Sequence, residues 1–351
     1  MKVLVYGECA DYGSGAWCYL QTLEQMGIKA DWFHPYEGVT QYLSSFFWKG
    51  IRKLNGREIL KAHLTRHNQL LLQKAKIFEP DIIVILKGLF VEANTIEELK
   101  SRGSWVVNIN HDDFFSLNPN NRSKVQWRAI PSYDHLFTTR EVNVEELLPY
   151  NKQVSFFPFA YFPDIHKVIN LSEEASEMWR SDVLFIGTWE RERAKLLEQI
   201  VKIFPAHYAI YGSQWDKVAS DSPLKPYIKN KELRGHEMAH AIRYSCMSLG
   251  FLRKENRDDY TQRSFEIPAC GGLLLAERTL SHQKLYKENV EAVFFEAGNA
   301  SELCKRIQWL LEDTKTRESI RLAGCAKLQA GNHTYKDRIN YLIKMYDQRR
   351  G

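Results

Sequence analysis

Short apolar runs alternate with helix-length amphipathic stretches along almost the whole chain. Most of these runs are four to six residues long, rich in β-branched and aromatic residues, and apolar throughout. Strands that are buried on both faces of a parallel sheet have this pattern. The pattern predicts strands at residues 3–6, 30–33, 82–86, 106–109, 136–138, 183–186, 208–211, 247–252, 273–276 and 292–295.

The amphipathic stretches between these runs predict helices. Several of them end at a glycine, such as Gly27 and Gly103, where a left-handed helix cap is expected. The predicted helices cover residues 16–26, 58–78, 94–102, 191–204, 237–244, 301–312 and 316–329. A series of alternating strands and helices occurs in each half of the chain. The sequence therefore predicts an α/β protein with two Rossmann-like, doubly wound parallel-sheet domains.

Two prolines, Pro158 and Pro163, interrupt any regular element between the two halves. We therefore expect an N-terminal domain at residues 1–160, a C-terminal domain at residues 161–335, and a last helix within residues 336–351. Ligands of open parallel sheets bind beyond the carboxyl ends of the strands. A cleft between two such domains is the expected site.

The composition is that of an ordinary globular protein, with 44% hydrophobic and 26% charged residues among 351, which argues against disorder. No apolar run approaches the roughly 18–20 residues that span a bilayer. The chain enters a strand directly, without the apolar core of a signal peptide. Six cysteines lie far apart without a C-x-x-C pair. Together these features predict a cytoplasmic protein without a disulfide framework.

The net charge of +5 is mild for this length, and we expect no nucleic-acid partner. Basic residues are concentrated at residues 49–76, where eight Lys or Arg face one acid, Glu58, directly after Phe46-Phe47-Trp48. This stretch is either a solvated helix face or a surface for an anionic or lipid-linked acceptor. Peripheral contact with a membrane therefore stays open beside a cytoplasmic location.

A short helix predicted at residues 262–270 carries the most informative chemistry. Thr261 or Ser264 can cap it, and free N–H groups at its start favour an anion such as a diphosphate. Arg253 and Arg263 flank this position, together with Arg257, and guanidinium groups bind phosphate oxygens in a bidentate way.

Glu266 lies about one turn into the predicted helix, where it can accept hydrogen bonds from ribose hydroxyls. The alternative is that Glu266 and Arg263 simply pair with each other. The residues alone leave both interpretations open.

Several segments carry a resemblance to a known family. They are the stretch at 258–272, Asp-Asp-Tyr-Thr-Gln-Arg-Ser-Phe-Glu-Ile-Pro-Ala-Cys-Gly-Gly, with the strand at 273–279 after it, and the runs at 182–187, 210–213 and 291–295. In these segments the chain resembles the CgeB-like (spore-maturation type) glycosyltransferases, which have the two-domain GT-B scaffold. The resemblance covers roughly residues 180–340. It reaches the first half only loosely, through residues 80–83, 87–88 and 110–113.

This resemblance implies transfer of a sugar from a nucleoside-diphosphate donor, as co-substrate, to an acceptor hydroxyl. It implies no bound metal and no other cofactor, since Arg, Lys and a helix dipole stabilise the leaving diphosphate. The N-terminal domain would then be on the acceptor side and the C-terminal domain would hold the nucleotide sugar. The last helix would pack back on the N-terminal domain.

The wider GT-B group has two glutamates separated by seven residues. Glu266 matches the second, on the ribose, and the first position is Asp258, a shorter carboxylate. Gly187 matches the glycine of the first turn, and Arg191 or, preferably, Arg193 is the cation beside it. The predicted nucleotide-sugar site consists of Gly187, Arg193, Gly212, Arg253, Asp258, Tyr260, Thr261, Arg263, Ser264 and Glu266.

In the first half, glycines follow the first strand without completing a dinucleotide fingerprint, and we interpret Gly13 and Gly15 as an acceptor-side wall. His111 and Asp112 come directly after the strand at 106–109. Either could be the catalytic base that deprotonates an acceptor hydroxyl. A helix cap or a local Asx turn is the alternative interpretation.

Three rival functions compete with this interpretation. The first is a zinc metallopeptidase, because His236-Glu237-Met238-Ala239-His240 is a literal H-E-x-x-H, although Tyr244 and Met247 occupy the positions of the extended motif. We expect no metal site there. The second is a nucleotide-sugar epimerase on the same scaffold, and the third is a non-catalytic nucleotide-sugar binder.

Overall fold

A computed structural model of the protein describes residues 1–39, 61–116 and 121–350. The chain forms two compact units. Unit 1 consists of Met1–Phe159, Lys254–Asp258 and Tyr335–Gly351, and unit 2 of Ala160–Arg253 and Asp259–Thr334. Each unit has one parallel sheet flanked by helices, which confirms the predicted α/β class.

Eleven strands lie in the described residues. They are β1 (Lys2–Tyr6), β2 (Lys29–Phe33), β3 (Ile82–Leu86), β4 (Trp105–Asn110), β5 (His135–Thr138), β6 (Val154–Phe156), β7 (Ser181–Ile186), β8 (Tyr208–Tyr211), β9 (Ser245–Gly250), β10 (Leu274–Glu277) and β11 (Val293–Phe295).

The α-helices of the same residues number thirteen. They are α1 (Gly15–Gln25), α2 (Lys61–Phe78), α3 (Ala93–Ser101), α4 (Lys124–Ala129), α5 (Glu141–Leu147), α6 (Glu173–Glu177), α7 (Arg191–Ile203), α8 (Gly235–Tyr244), α9 (Arg263–Ala269), α10 (Leu280–Leu285), α11 (Ala300–Glu312), α12 (Thr314–Gln329) and α13 (Tyr335–Arg350).

The two sheets follow the same strand order, and the sheet of unit 1 adds β6 at one edge. In unit 1 the order is β2-β1-β3-β4-β5-β6, and in unit 2 it is β11-β10-β9-β7-β8, with every pair parallel. The order therefore reverses between β1 and β3 in one unit and between β7 and β9 in the other. In doubly wound folds, ligands bind beyond the carboxyl ends of the strands at this reversal.

Burial on both faces explains why the strands are apolar throughout. Leu4 and Ile83 in unit 1, like Leu275 and Val293 in unit 2, are fully buried between helices. The predicted strands are confirmed with ends displaced by at most two residues. Strand β6 was not predicted, because its three residues are only half-buried at the sheet edge.

The predicted helices are present, and short helices such as α4 and α6 were missed. Part of the basic segment at 49–76 lies outside the described residues, which resume with α2 at Lys61. Helix α13 packs against α1 within unit 1, and Arg338 donates hydrogen bonds to the carbonyls of Pro158 and Phe159. Among the described residues there is no helix whose length and hydrophobicity would let it cross a membrane.

Candidate functional site

Two glycines bring the ends of β7 and β8 together in unit 2. Gly212 has a φ of 136°, and a Cβ there would lie 2.0 Å from the carbonyl oxygen of Gly187. That oxygen also accepts a hydrogen bond of 2.9 Å from Trp215 Nε1. A side chain at position 212 would therefore collide with the backbone of the first turn.

Polar groups follow directly after both glycines. The hydroxyls of Thr188 and Ser213 are 3.1 Å apart, and the Trp189 N–H donates to the Ser213 carbonyl at 2.9 Å. The buried Nε1 of Trp189 has no hydrogen-bond partner within the described part of the chain. This turn thus presents two hydroxyls at the carboxyl edge of the sheet.

Two arginines share one carboxylate across the strand reversal of unit 2. Glu190 Oε1 lies 3.5 Å from Arg193 Nη1 and 2.7 Å from Arg253 Nε, where Arg253 follows β9. The Arg193 side chain is largely buried, whereas that of Arg253 is 39% exposed. Two guanidinium groups around one carboxylate make this group of three side chains positive overall.

Glu266 has one partner on α9 and one in the turn at residues 162–166. Its carboxylate pairs with Arg263 Nη1, and Oε1 lies 3.4 Å from His166 Nε2. Glu266 and His166 are almost fully buried, while Arg263 is about one-third exposed. The structure shows Glu266 paired with Arg263. This is one of the two interpretations that the sequence left open.

The start of α9 differs from the prediction. Neither Thr261 nor Ser264 caps the helix, because Ser264 lies inside it, where its Oγ accepts the Thr261 N–H and pairs with His282 Nε2 at 2.8 Å. The N–H groups of Ser264 and Phe265 donate to the carbonyls of Thr261 and Gln262. These N–H groups are therefore not free, and the predicted cap was wrong.

Tyr260, another predicted donor-site residue, is buried in front of α9. Its ring packs against that of Phe265, with the two centroids 5.8 Å apart. Tyr260 thus supports the helix that carries Arg263 and Glu266.

The segment Lys254–Asp258 lies in unit 1, although unit 2 residues flank it on both sides. Arg257, at a φ of 45°, donates from Nε and Nη2 to Asp113 at 2.6 and 2.8 Å, and binds Glu146 with both Nη atoms at 2.7 Å. Asp258 pairs with the buried Arg140. Arg257 and Asp258 are thus saturated by partners in unit 1.

Opposing effects act on the carboxylate of Asp113. Burial raises its pKa, but hydrogen bonds from Arg257, the Phe115 N–H and Asn143 outweigh it, so the pKa of Asp113 lies below its ordinary value. The same bonds raise the pKa of Arg257. Both groups are therefore charged at neutral pH.

Asp112 is held by a smaller polar cluster. Its Oδ2 lies 2.6 Å from Lys87 Nζ, and its Oδ1 lies 3.4 Å from Asn256 Nδ2. Asn256 also accepts the Asp113 N–H at 2.8 Å. Lys87 has a φ of 63°, which is unusual for a residue with a side chain and is typical of functional positions.

His111 is half-buried between two aromatic rings. It stacks on Phe159 at 5.5 Å and on Tyr19 at 6.4 Å between centroids, and its carbonyl accepts a hydrogen bond of 2.7 Å from Arg140 Nη1. Burial lowers the pKa of His111 to about 4, which Asp112 partly opposes. The imidazole is thus neutral at pH 7 and able to accept a proton.

The structure brings Gly15 next to His111. A Cβ on Gly15 would lie 3.8 Å from His111 Cε1 and 3.3 Å from Tyr335 Oη. Gly13, with a φ of 74°, forms the turn before Ser14, whose Oγ caps α1. The loop with the two predicted acceptor-side glycines is therefore fixed in place, and its Gly15 end lies beside the candidate base.

The H-E-x-x-H sequence lies on α8, where its members have other partners. Glu237 pairs with Lys231 at 2.6 Å, and His240 packs against Trp179 with centroids 5.8 Å apart. Across residues 1–39, 61–116 and 121–350, no three or more His, Cys, Asp or Glu residues are grouped so that they could hold a metal ion.

The residues of these clusters that were not predicted from the sequence include His166, Glu190, Arg140, Glu146 and Asn256. Glu190 follows Gly187 by three positions, so its place at a strand end was a usable signal. Arg140 and Asn256 meet across 116 positions of the chain, and no local pattern indicates such a contact.

A family model described as "Glycosyl transferase-like" matches residues 191–344. These residues are therefore similar to the glycosyl transferase-like family. The match lies mostly in unit 2, covers just under half of the chain, and includes the cluster of Arg193 and Arg253 as well as α9. It confirms the predicted glycosyltransferase class of enzyme. No curated protein matches the chain.

Solved structures with the same fold cover the whole chain. Anabaena HepE in complex with UDP-glucose has a TM-score of 0.71 at 12% identity, covering 99% of this chain and 100% of HepE. Sucrose-phosphate synthase from Thermosynechococcus elongatus gives 0.68 at 12% identity, with 99% and 98% covered. A Rickettsia africae glycosyltransferase gives 0.67 at 12% identity, with the same shares. The chain thus has the two-domain GT-B fold of these structures.

Proposed function

We propose that the protein transfers a sugar from a nucleoside-diphosphate donor to an acceptor hydroxyl without a bound metal ion. The observation that carries this proposal is the pair Arg193 and Arg253 on the single carboxylate of Glu190, beside Gly187 at the strand reversal of unit 2. This position is where doubly wound sheets bind nucleotides.

The diphosphate would bind at this cluster. Its negative charge suits the two guanidinium groups, the missing side chain of Gly187 allows close approach, and Thr188 and Ser213 supply hydroxyl donors. When the bond to the sugar breaks, negative charge develops on the diphosphate. Fixed arginines stabilise that charge without a metal ion.

The ribose would bind near α9. Glu266 offers carboxylate oxygens to the ribose hydroxyls, and the exposed Arg263 can leave its place on that carboxylate to the incoming ligand. HepE is described in complex with UDP-glucose and with UDP, which supports uracil as the first base to test.

The acceptor hydroxyl would lose its proton to His111. The imidazole beside Gly15 is neutral at pH 7 and so can accept a proton, and Asp112 is the second candidate. We also propose that the protein belongs to the CgeB-like branch of glycosyltransferases, which the sequence around Glu266 supports.

Thermal unfolding of the purified protein with UDP, GDP, ADP and CDP, each with and without EDTA, tests the donor. A ligand at a hundredfold excess over its Kd stabilises the folded state by about 2.7 kcal/mol. We expect a raised midpoint with one nucleotide, unchanged by EDTA. Loss of the shift with EDTA would contradict metal independence, and no shift with any nucleotide would contradict the donor site.

Sugar release from the matching nucleotide sugar then separates an enzyme from a binder. We expect slow hydrolysis in wild-type protein and at least a tenfold slower rate in Arg253→Ala. Nucleotide binding without any turnover would favour the non-catalytic binder. Interconversion of the donor sugar without release of diphosphate would favour the epimerase.

A further inference from the structure

His166 lies in a tight turn of unit 2 that fixes its imidazole from one side. The N–H groups of Ile165 and His166 donate to the carbonyl of Phe162, at 3.1 and 2.8 Å. The N–H of Phe162 in turn donates to His166 Nδ1 at 3.0 Å. Since Phe162, Ile165 and His166 are each at most 2% exposed, the ring cannot turn without breaking this packing.

The hydrogen bond from Phe162 determines which nitrogen carries the proton. Nδ1 accepts, so it must present its lone pair, and the proton of the neutral imidazole is on Nε2. Burial lowers the pKa of His166 more than Glu266 raises it, and Arg263 and His236 lower it further. The neutral ring therefore directs Nε2–H at Glu266 Oε1, 3.4 Å away.

The two partners of Glu266 differ in accessibility. Arg263, on the Oε2 side, is 31% exposed, whereas His166 is 1% exposed. A ligand that reaches Glu266 can displace Arg263 but not His166. His166 thus lies beside Oε1 and leaves Oε2 as the oxygen that is exchanged.

We propose that His166 is a positioning residue that orients the Glu266 carboxylate toward the ribose and so makes the site selective for ribonucleotides over deoxyribonucleotides. This inference rests on the proposed function, since it takes the ribose contact of Glu266 as given. Without the Nε2–H donor, the carboxylate rotates toward Arg263. The hydrogen bond between a ribose hydroxyl and the Glu266 carboxylate then contributes little to binding.

The experiment compares Kd values for the nucleoside diphosphate that gives the largest thermal shift and for its 2′-deoxy and 3′-deoxy analogues. In wild-type protein, a hydrogen bond to a carboxylate corresponds to a preference of about 10–100-fold for the ribonucleotide. We expect His166→Leu to reduce that preference below threefold. His166→Gln, whose amide replaces the Nε2–H donor, should keep most of it.

The outcomes separate this inference from the proposal beneath it. A wild-type protein that binds both analogues as well as the ribonucleotide would contradict the ribose role of Glu266 itself. A folded His166→Leu protein with the wild-type preference would overturn the role of His166 alone. Should the leucine variant fail to fold, His166→Asn, which replaces Nδ1 but not the Nε2–H, carries the same expectation and the same test.

Discussion

The two units share a strand order but differ in charge at the carboxyl ends of their strands. In unit 1, the cations Lys87, Arg140 and Arg257 meet four carboxylates, those of Asp112, Asp113, Glu146 and Asp258. In unit 2, Arg193 and Arg253 both lie beside the carboxylate of Glu190. The same topology therefore carries a cluster rich in carboxylates in one unit and a cluster rich in arginine in the other.

This difference shows that the fold supplies a location and the side chains supply its chemistry. The arginine-rich cluster in unit 2 suits a diphosphate. The saturated cluster in unit 1 holds the backbone of His111 and Asp112 in place instead.

Gly212→Ala tests the backbone contact that shapes the donor turn, and has the largest expected effect. The added Cβ would meet the Gly187 carbonyl at 2.0 Å, so the free energy of unfolding should fall by about 4 kcal/mol. Chemical denaturation measures it. The control Gly298→Ala has a φ of 77° but open space, and should lose only about 1–2 kcal/mol. Equal losses of unfolding free energy in the two variants would mean that the contact with the Gly187 carbonyl is not the reason why position 212 requires glycine.

His111→Gln tests the chemical role of unit 1. Removing a general base slows turnover by about 10²–10⁴-fold, and we expect kcat to fall within this range while the donor Kd stays unchanged. Since the pKa of His111 is about 4, wild-type kcat/KM should be flat from pH 6 to 8 and fall only as the pH approaches that value. If His111→Gln keeps the wild-type kcat, His111 is not the general base and Asp112 becomes the candidate. Asp112→Asn is then the matched test.

Arg253→Ala and Arg257→Ala test the charge comparison directly, since the two residues lie four positions apart. We expect Arg253→Ala to weaken donor binding by about 10–100-fold, because it removes a charged hydrogen-bond donor. Arg257→Ala should leave donor binding unchanged but destabilise the protein by about 2–3 kcal/mol, since buried Asp113 loses its main partner. Calorimetric titration and denaturation separate the two effects. The reverse result would place the phosphate in unit 1.

Lys87→Met has the smallest expected effect. Lys87 lowers the pKa of His111 by charge repulsion, although burial is the larger cause. Removing this cation should raise the pKa of His111 and move the acid limb of kcat/KM to higher pH by less than about one unit. Lys87→Arg, which keeps the charge, is the control. An acid limb that moves to lower pH would show that His111 is not the titrating base.

The strands and most helices were predictable because their signal is local. An apolar run such as residues 82–86 specifies a buried strand whatever surrounds it, and Gly27 ends α1 by its own backbone preference. The half-buried β6 has only a short signal, since it contributes just two apolar residues, Val154 and Phe156, at the sheet edge.

The partners of the candidate site were less predictable. The stretch at 253–266 was correctly recognised as rich in charge, but its division between the two units depends on contacts 118–144 positions apart. The N–H groups expected to be free at the start of α9 donate instead to the carbonyls of Thr261 and Gln262, and the Ser264 hydroxyl pairs with His282, 18 positions further on. Local patterns identify the residue types, whereas distant partners decide what each one does.

Because the segment Lys254–Asp258 belongs to unit 1, it also affects the order in which the chain can fold during synthesis. Asp113 and Arg140 leave the ribosome long before their partners Arg257 and Asp258. At roughly 5–20 residues per second, the 144 positions from Asp113 to Arg257 correspond to roughly 7–30 s of translation. Unit 1 gains its last helix only when Tyr335–Arg350 has been made. The N-terminal part of this protein therefore cannot complete its native contacts until nearly all of the described chain has been made.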